Sequence, residues 1–505
     1  MKANRNIPTI HLSGYPYQQE ITDGLGYKEE IDCSSSLNKL AQSADYFSRL
    51  DKRVKAVKSY ELAPLYEAGF YGIDAKLKHG GELTFEEAYS LIAFVVMSLN
   101  RAVRSSILEY APVPAYPLWI PSSTTRRSDV RETQLMQATS LLSGMSSKEG
   151  YVGLLPEEIA GVVAATVDLD TVVRTESQRP VIALGGMGGD KGYGRTGKTS
   201  KLFSLSTLSS AILAVDGATH KHHSYPNTSK VAGQSAVEAL GARSDFHNPE
   251  AFQKLLDEVG LMMSSCHNTR TLHTLSHRLK GETINHIIGP LAYTLTPETV
   301  ANGFIGVNEK IHPATVISAL EILSKRKFQT YDNSVAFFGT DREVAHPDMF
   351  DPKSYYHSPE ARESVAIDEV APPPYATVAA FMRGGELAGT FEIRPTDFFT
   401  EGQLSVMTMH GLMVPNEVDA ILAANRDALA GRDEAKAMYL AMTAGLGIFT
   451  RKYLDRVDAL HADTRRVNAD YLRAATREAL EIIHTGAATA KMKEYVTATN
   501  NVAGG

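Results

Sequence analysis

The chain has 505 residues, enough for about two to four domains. Hydrophobic residues make up 43% and charged residues 22%, which excludes a disordered, collagenous or disulfide-scaffold chain. The 51 basic and 58 acidic residues leave a net charge of −7, which argues against a general electrostatic grip on nucleic acid or an anionic membrane. Cys33 and Cys266 make no disulfide framework. No apolar run approaches the ~18 residues of a membrane span. The first residues lack the apolar core of a signal peptide, so the expected location is the cytoplasm.

Residues 1–80 read as a mostly helical extension, long and charged over 36–69. Residues 81–178 read as a helical domain. A helix is expected from Leu83 to Asn100, with Thr84 as N-cap and Glu86 and Glu87 in its first turn. Four prolines and the single tryptophan, Trp119, lie within 110–128 and mark 101–130 as an insertion. Helical patterning returns at 131–145 and at 155–166, where Pro156 opens the run. An α/β domain with a parallel sheet is expected over 179–415. It begins with the strand candidate 181–184 and includes helix candidates near 204–215 and 234–241. Residues 345–365 read as a surface loop. Two strands over 375–395 flank a turn at Arg383-Gly384-Gly385, and 416–505 is helical.

The densest chemical signal is 185–207, GGMGGDKGYGRTGKTSKLFSLST. Its glycines let backbone N–H groups approach an anion. Lys191, Arg195, Lys198 and Lys201 add positive charge, and Ser204, Ser206 and Thr207 add hydroxyls where a helix begins. A phosphate or diphosphate site is the natural reading. Within it, Gly192 to Thr199 matches the P-loop pattern GxxxxGK[ST]. A P-loop should leave a buried strand directly, whereas here a second glycine run intervenes. The ILAVD run at 212–216 also begins too soon to be the second strand of a nucleotide-binding sheet.

Histidines recur at 220, 222 and 223, and again at 267, 273, 277 and 286. Cys266 and His267 are metal ligands by type, but the spacing to His273 and His277 lacks zinc-site regularity. The adjacent carboxylates Asp368 and Glu369 follow a short apolar run. Such a pair suits Mg²⁺, which takes one or two carboxylates together with substrate phosphates.

In this order the motifs resemble those of the anthranilate phosphoribosyltransferase family, and more widely the fold it shares with pyrimidine nucleoside phosphorylases. Gly186-Met187-Gly188-Gly189-Asp190 resembles GTGGD, and Phe203 to Thr207 resembles FNIST. Lys221-His222 matches the start of KHGN, with His223 and Ser224 in place of its last two residues. Gly289-Pro290-Leu291 matches GPL, and Asp368-Glu369 matches the metal-binding DE pair. The resemblance implies a small helical domain on a larger parallel-sheet α/β domain, with the active site in the cleft between them. It implies a Mg²⁺-dependent transfer of the phosphoribosyl group from phosphoribosyl diphosphate to an aromatic amine or nucleobase, and a homodimer. Gly186, Gly188, Gly189, Asp190, Lys198, Ser204, Ser206, Thr207 and Lys221 would then serve the donor. His222, His223, Asn227 and Arg278 would border the acceptor, and Ser206, Asp368 and Glu369 would hold the metal. The family's RT ahead of GPL is Glu282-Thr283 here, and Glu282 would repel an acceptor carboxylate. The acceptor therefore stays open between aromatic amine and nucleobase. The alternatives are a nucleoside phosphorylase, an inactive ligand-binding relative and a P-loop NTPase.

Overall fold

Short apolar runs bounded by glycine and polar turns become the strands of one large sheet. The computed structural model describes residues 72–99, 127–170, 174–188, 192–193, 200–223, 231, 233–244, 249–265, 272, 284–293 and 295–503. Most of the N-terminal extension and of the Pro-rich insertion therefore lie outside the described residues, as do Cys33, Cys266, His267, His273 and His277.

The first described layer is helical. Thr84 caps the helix Phe85–Leu99: Glu87 N–H donates to its Oγ1 at 3.2 Å, and Glu87 Oε2 accepts its N–H at 3.0 Å. The helices Arg127–Tyr151 and Pro156–Leu169 follow. The helix Pro156–Leu169 packs along Phe85–Leu99 and reaches over to the helix Pro313–Lys325 of the sheet. Glu158 is fully buried; it pairs with Lys148, and its two oxygens also accept the N–H groups of Leu83 and Leu155. Pairing and hydrogen bonding together offset the desolvation of that carboxylate.

The sheet holds β1 (Val181–Gly186), β3 (Ala218–His223), β4 (Leu261–Ser265), β5 (Val300–Gly306) and β7 (Ser334–Thr340), all parallel. Its spatial order runs β9-β7-β5-β1-β3-β4, where β9 is Thr377–Arg383. β9 is antiparallel to β7 and forms a hairpin with β10 (Glu386–Ile393) through Gly384 and Gly385, both at positive φ. The sheet is therefore mixed: a parallel centre, as expected, with an antiparallel flank. A two-residue turn cannot return a chain parallel to itself, so β9 and β10 cannot both run with the parallel centre. From Val418 the chain is mainly helical, and the helix Glu434–Lys452 is buried along most of its length.

Residues 345–365 are not a surface loop. His346, Asp351 and Ser358 each cap a short helix that begins with proline, at Pro347, Pro352 and Pro359. Proline at the first helical position has no N–H to satisfy and a φ already suited to a helix. Met349, Tyr355 and Ala361 anchor these turns in the core. No helix among the described residues is long and apolar enough to cross a membrane.

Candidate functional site

The candidate site lies where the parallel strands end, the usual place for a ligand in an open α/β sheet. β1 leaves the sheet at Gly186, and the N–H of Met187 donates to the carbonyl of Gly306, at the end of β5, at 3.0 Å. Gly188 then turns with φ +62°, which glycine adopts without strain. Its N–H donates to Asp368 Oδ2 at 2.9 Å, bridging 180 residues of chain. Its carbonyl accepts from Asn308 Nδ2 at 2.9 Å.

β8 (Val365–Ile367) pairs antiparallel with β7 and delivers Asp368 and Glu369 to this point. A Cβ on Gly306 would stand 1.7 Å from the Asp368 carbonyl oxygen, so the two backbones meet only because that residue is glycine. Glu369 Oε1 accepts the N–H of Ser206 at 3.3 Å, in the first turn of the helix Leu205–Leu213. That turn has N–H groups with no partner inside the helix and carries positive partial charge. Ser204, just before the helix, forms a reciprocal pair with Asn425: its N–H donates to Oδ1 at 2.9 Å and its Oγ accepts from Nδ2 at 3.1 Å. Thr207 is buried behind this turn. Tyr439 O–H donates to the Val370 carbonyl at 2.7 Å and secures the chain just beyond the carboxylates.

Lys221 sits near the end of β3, opposite Leu184 of β1, and is buried. Burial lowers the pKa of its ammonium group, while the charges of Glu369 and Asp368 act in the opposite sense. The lysine and both carboxylates thus share one electrostatic neighbourhood. His222 is next along the strand. Burial, with repulsion from Lys221, pushes it down to about 3, so its ring is neutral near pH 7.

The helix Asn285–Leu291 carries the Gly-Pro-Leu motif and contains a proline. A Cβ on Gly185 would stand 2.4 Å from Pro290 Cβ, so the end of β1 and this helix touch through backbone and ring. His286 Nε2 lies 2.7 Å from Glu149 Oε1, which ties the helix to Arg127–Tyr151 in the helical layer.

The structure thus brings together Gly186, Gly188, Ser204, Ser206, Lys221, His222, Asp368 and Glu369 from the residues singled out by sequence. Gly189, Asp190, Lys198, Asn227 and Arg278, and the side chain of His223, lie outside the described residues. Asn308 and Asn425 were missed. Each is a lone asparagine in an unremarkable stretch, and only the fold shows what it holds.

The described ends of the inserted glycine segment are anchored. Gly192 N–H donates to the Ala366 carbonyl at 2.9 Å. Tyr193 stacks on Tyr375 at 5.2 Å and donates its O–H to the Thr340 carbonyl at 2.9 Å. β2 (Ser200–Lys201) pairs with β11 (Val414–Pro415). Residues 212–216 form the end of a helix and a turn. That run is no strand, so the P-loop reading has no second strand.

The donor set at the carboxylate pair fits Mg²⁺. It is all oxygen, and one oxygen of each carboxylate is aimed by a backbone N–H. Among the described residues no group of three or more His, Cys, Asp or Glu side chains is placed to hold a metal. Two carboxylates that complete their shell with substrate phosphates match the habit of this cation.

No family model matches the chain. An anthranilate phosphoribosyltransferase of Dechloromonas aromatica is 22% identical over 380 residues, covering 74% of this chain and 91% of that one. The crystal structure of anthranilate phosphoribosyltransferase from Thermus thermophilus superposes with a TM-score of 0.55 at 18% identity, covering 85% of this chain and 99% of that one. The Saccharomyces cerevisiae enzyme in complex with PRPP and Mg gives a TM-score of 0.55 at 15% identity, covering 86% and 99% of the two chains. In fold, and in the order of its sequence motifs, the chain is anthranilate phosphoribosyltransferase-like.

Proposed function

We propose that the chain is a Mg²⁺-dependent phosphoribosyltransferase that transfers the phosphoribosyl group of phosphoribosyl diphosphate to an aromatic amine. The observation that carries this reading is the pair Asp368–Glu369, drawn onto the glycine loop by Gly188 N–H and onto a helix N-terminus by Ser206 N–H. Anion-receptive backbone and metal-receptive carboxylates then face the same ligand. The two solved yeast structures, one with PRPP and Mg and one with 4-fluoroanthranilate, support the same pairing of donor and acceptor.

In this reading the diphosphate takes over the N–H groups of Gly188 and Ser206 from the two carboxylates, beside Gly186, and Asp368 and Glu369 hold the cation against it. Bound Mg²⁺ would neutralise the charge that builds on diphosphate as it leaves. Lys221 balances the two carboxylates before donor arrives and faces the phosphosugar once their charge is taken up by the cation. No protein nucleophile is needed, because holding C1 and the acceptor nitrogen together supplies much of the rate. The homodimer and cytoplasmic location belong to the same proposal.

The test is calorimetric titration of phosphoribosyl diphosphate, with and without Mg²⁺, into wild type and the double variant Asp368→Asn/Glu369→Gln. Micromolar binding that needs Mg²⁺ and is weakened by the variant supports the proposal. A folded wild type that binds no donor overturns it and directs attention to ribose 1-phosphate and inorganic phosphate.

A further inference from the structure

β8 is three residues long, and among the described residues its strand partner is β7 alone. It pairs at Gly339 and Thr340, just beyond Phe337, where β5 stops pairing with β7. β8 is thus an edge strand, and the polar backbone groups on its outer side need partners from outside the sheet. The carbonyl of Ala366 finds one in the Gly192 N–H, at 2.9 Å. Ala366 and Ile367, the last two residues before the carboxylate pair, stand apart from the main core. They are buried in a small apolar cluster with Tyr193, against which Leu202, Tyr375 and Met409 also pack.

Gly192 and Tyr193 open the stretch whose sequence matches the P-loop pattern, and Tyr193 is the one aromatic residue in the glycine-rich, cationic run 191–199. The fold gives this residue a different task. Its ring is buried and lies nearly parallel to that of Tyr375, with 8° between the planes and 5.2 Å between the centroids. Rings so spaced attract one another as an offset stack. Its O–H donates to the carbonyl of Thr340, the last residue of β7, at 2.9 Å. Tyr193 therefore packs with the chain on both sides of Asp368 and Glu369: with Ala366 and Ile367 before them, and with Tyr375 after them. One side chain joins the end of β7, the edge of β8 and the segment that leads into β9.

We infer that Tyr193 is a positioning residue for the carboxylate pair: with Gly192 it closes the outer edge of β8, so that Asp368 and Glu369 are in place before the cation arrives with the donor. The start of the inserted segment thereby belongs to the metal end of the site and is no nucleotide-binding loop. Groups that orient metal ligands without touching the metal carry about tenfold to a hundredfold in metal affinity. The cation and the donor rest on the proposed function, whereas the hold of Tyr193 on β8 does not.

Two measurements on the full chain test this, with Tyr193→Ala, which removes ring and hydroxyl, and Tyr193→Phe, which keeps the stack. The first is hydrogen–deuterium exchange read by mass spectrometry. In Tyr193→Ala the amides of 365–369 should exchange about tenfold faster, while those of β1 and β5 keep the wild-type rate. Tyr193→Phe should fall between. Unchanged exchange over 365–369, or equal acceleration throughout the sheet, overturns the positioning role. The second is calorimetric titration of phosphoribosyl diphosphate at a series of Mg²⁺ concentrations. Tyr193→Ala should raise the Mg²⁺ concentration for half-maximal donor binding about tenfold. Tyr193→Phe, which loses one hydrogen bond, should raise it about threefold. Excess Mg²⁺ should restore wild-type donor affinity in both. An unchanged Mg²⁺ requirement, or a donor affinity that falls equally at every Mg²⁺ concentration, overturns the link to the carboxylates. Should Tyr193→Ala fail to fold, Tyr193→Phe decides by the same two readouts. If the wild type binds no donor, the proposed function falls, while exchange over 365–369 still decides whether Tyr193 holds β8.

Discussion

The two ends of the site are built from different material. At the carboxylate end, the contacts that place Asp368 and Glu369 come from backbone: Gly188 N–H, Ser206 N–H and the close approach of Gly306. At the β3–β4 end, they run between the buried side chains of His220, Ser264 and His222. Backbone contacts tolerate side-chain drift, and Met187, which stands in the resembled motif, is held here by its N–H. Side-chain contacts depend on identity.

The largest effect that would sharpen this contrast is Gly306→Ala. Its Cβ would meet the Asp368 carbonyl at 1.7 Å, so backbone must move. A loss of more than about 3 kcal/mol, or failure to fold, is expected in thermal unfolding. A stable Gly306→Ala protein that binds donor normally would break the claim that backbone alone sets the carboxylate end. Next, Asp368→Asn should fold and lose about a hundredfold in Mg²⁺-dependent donor affinity, because a charged ligand of a hard cation is removed.

The third prediction concerns pH. His222 is lowered to about 3 and His312 to about 4 in the folded chain, against about 6.5 unfolded. The unfolded chain therefore binds more protons than the folded one as pH falls below about 6.5. Stability is full above that value and is lost towards the folded pKa values, by at most about 1.4 kcal/mol per pH unit for each such histidine. Urea unfolding between pH 7 and pH 5 should show this slope, and His222→Gln should flatten it. An unchanged slope in that variant would mean that the β3–β4 end does not hold a neutral histidine.

Two smaller effects complete the series. Asn425→Ala removes both hydrogen bonds to Ser204 and should cost about 1 kcal/mol, read as a fewfold weaker donor affinity. Gly289→Ala places its Cβ at ordinary contact distance from His222 Nε2, so stability should change by less than about 1 kcal/mol. Acceptor binding should weaken nonetheless, since a methyl group would cover the ring nitrogen. Equal acceptor affinity in that variant would place the acceptor elsewhere.

Much of the scaffold could be read in the sequence because its signals are local. Thr84 caps its helix as expected, and Glu87, three residues on, returns the contact. The Arg383-Gly384-Gly385 turn announced its hairpin. Residues 345–365 were misread because polar, proline-rich composition resembles a loop. The pattern that mattered was finer: a capping side chain directly before each proline, repeated at 346, 351 and 358.

The sequence by itself determined which chemistry is present: a glycine run, a helix-opening serine, a lysine beside histidines and a pair of adjacent carboxylates. Each is a property of residue type and short spacing. Only the tertiary structure decided which of these meet. Asp368 reaches Gly188 because β8 returns beside β7, and Ser264 reaches His222 because β4 pairs with β3 in one register rather than another. Register and strand order are set by burial summed over the whole sheet, which no local spacing encodes.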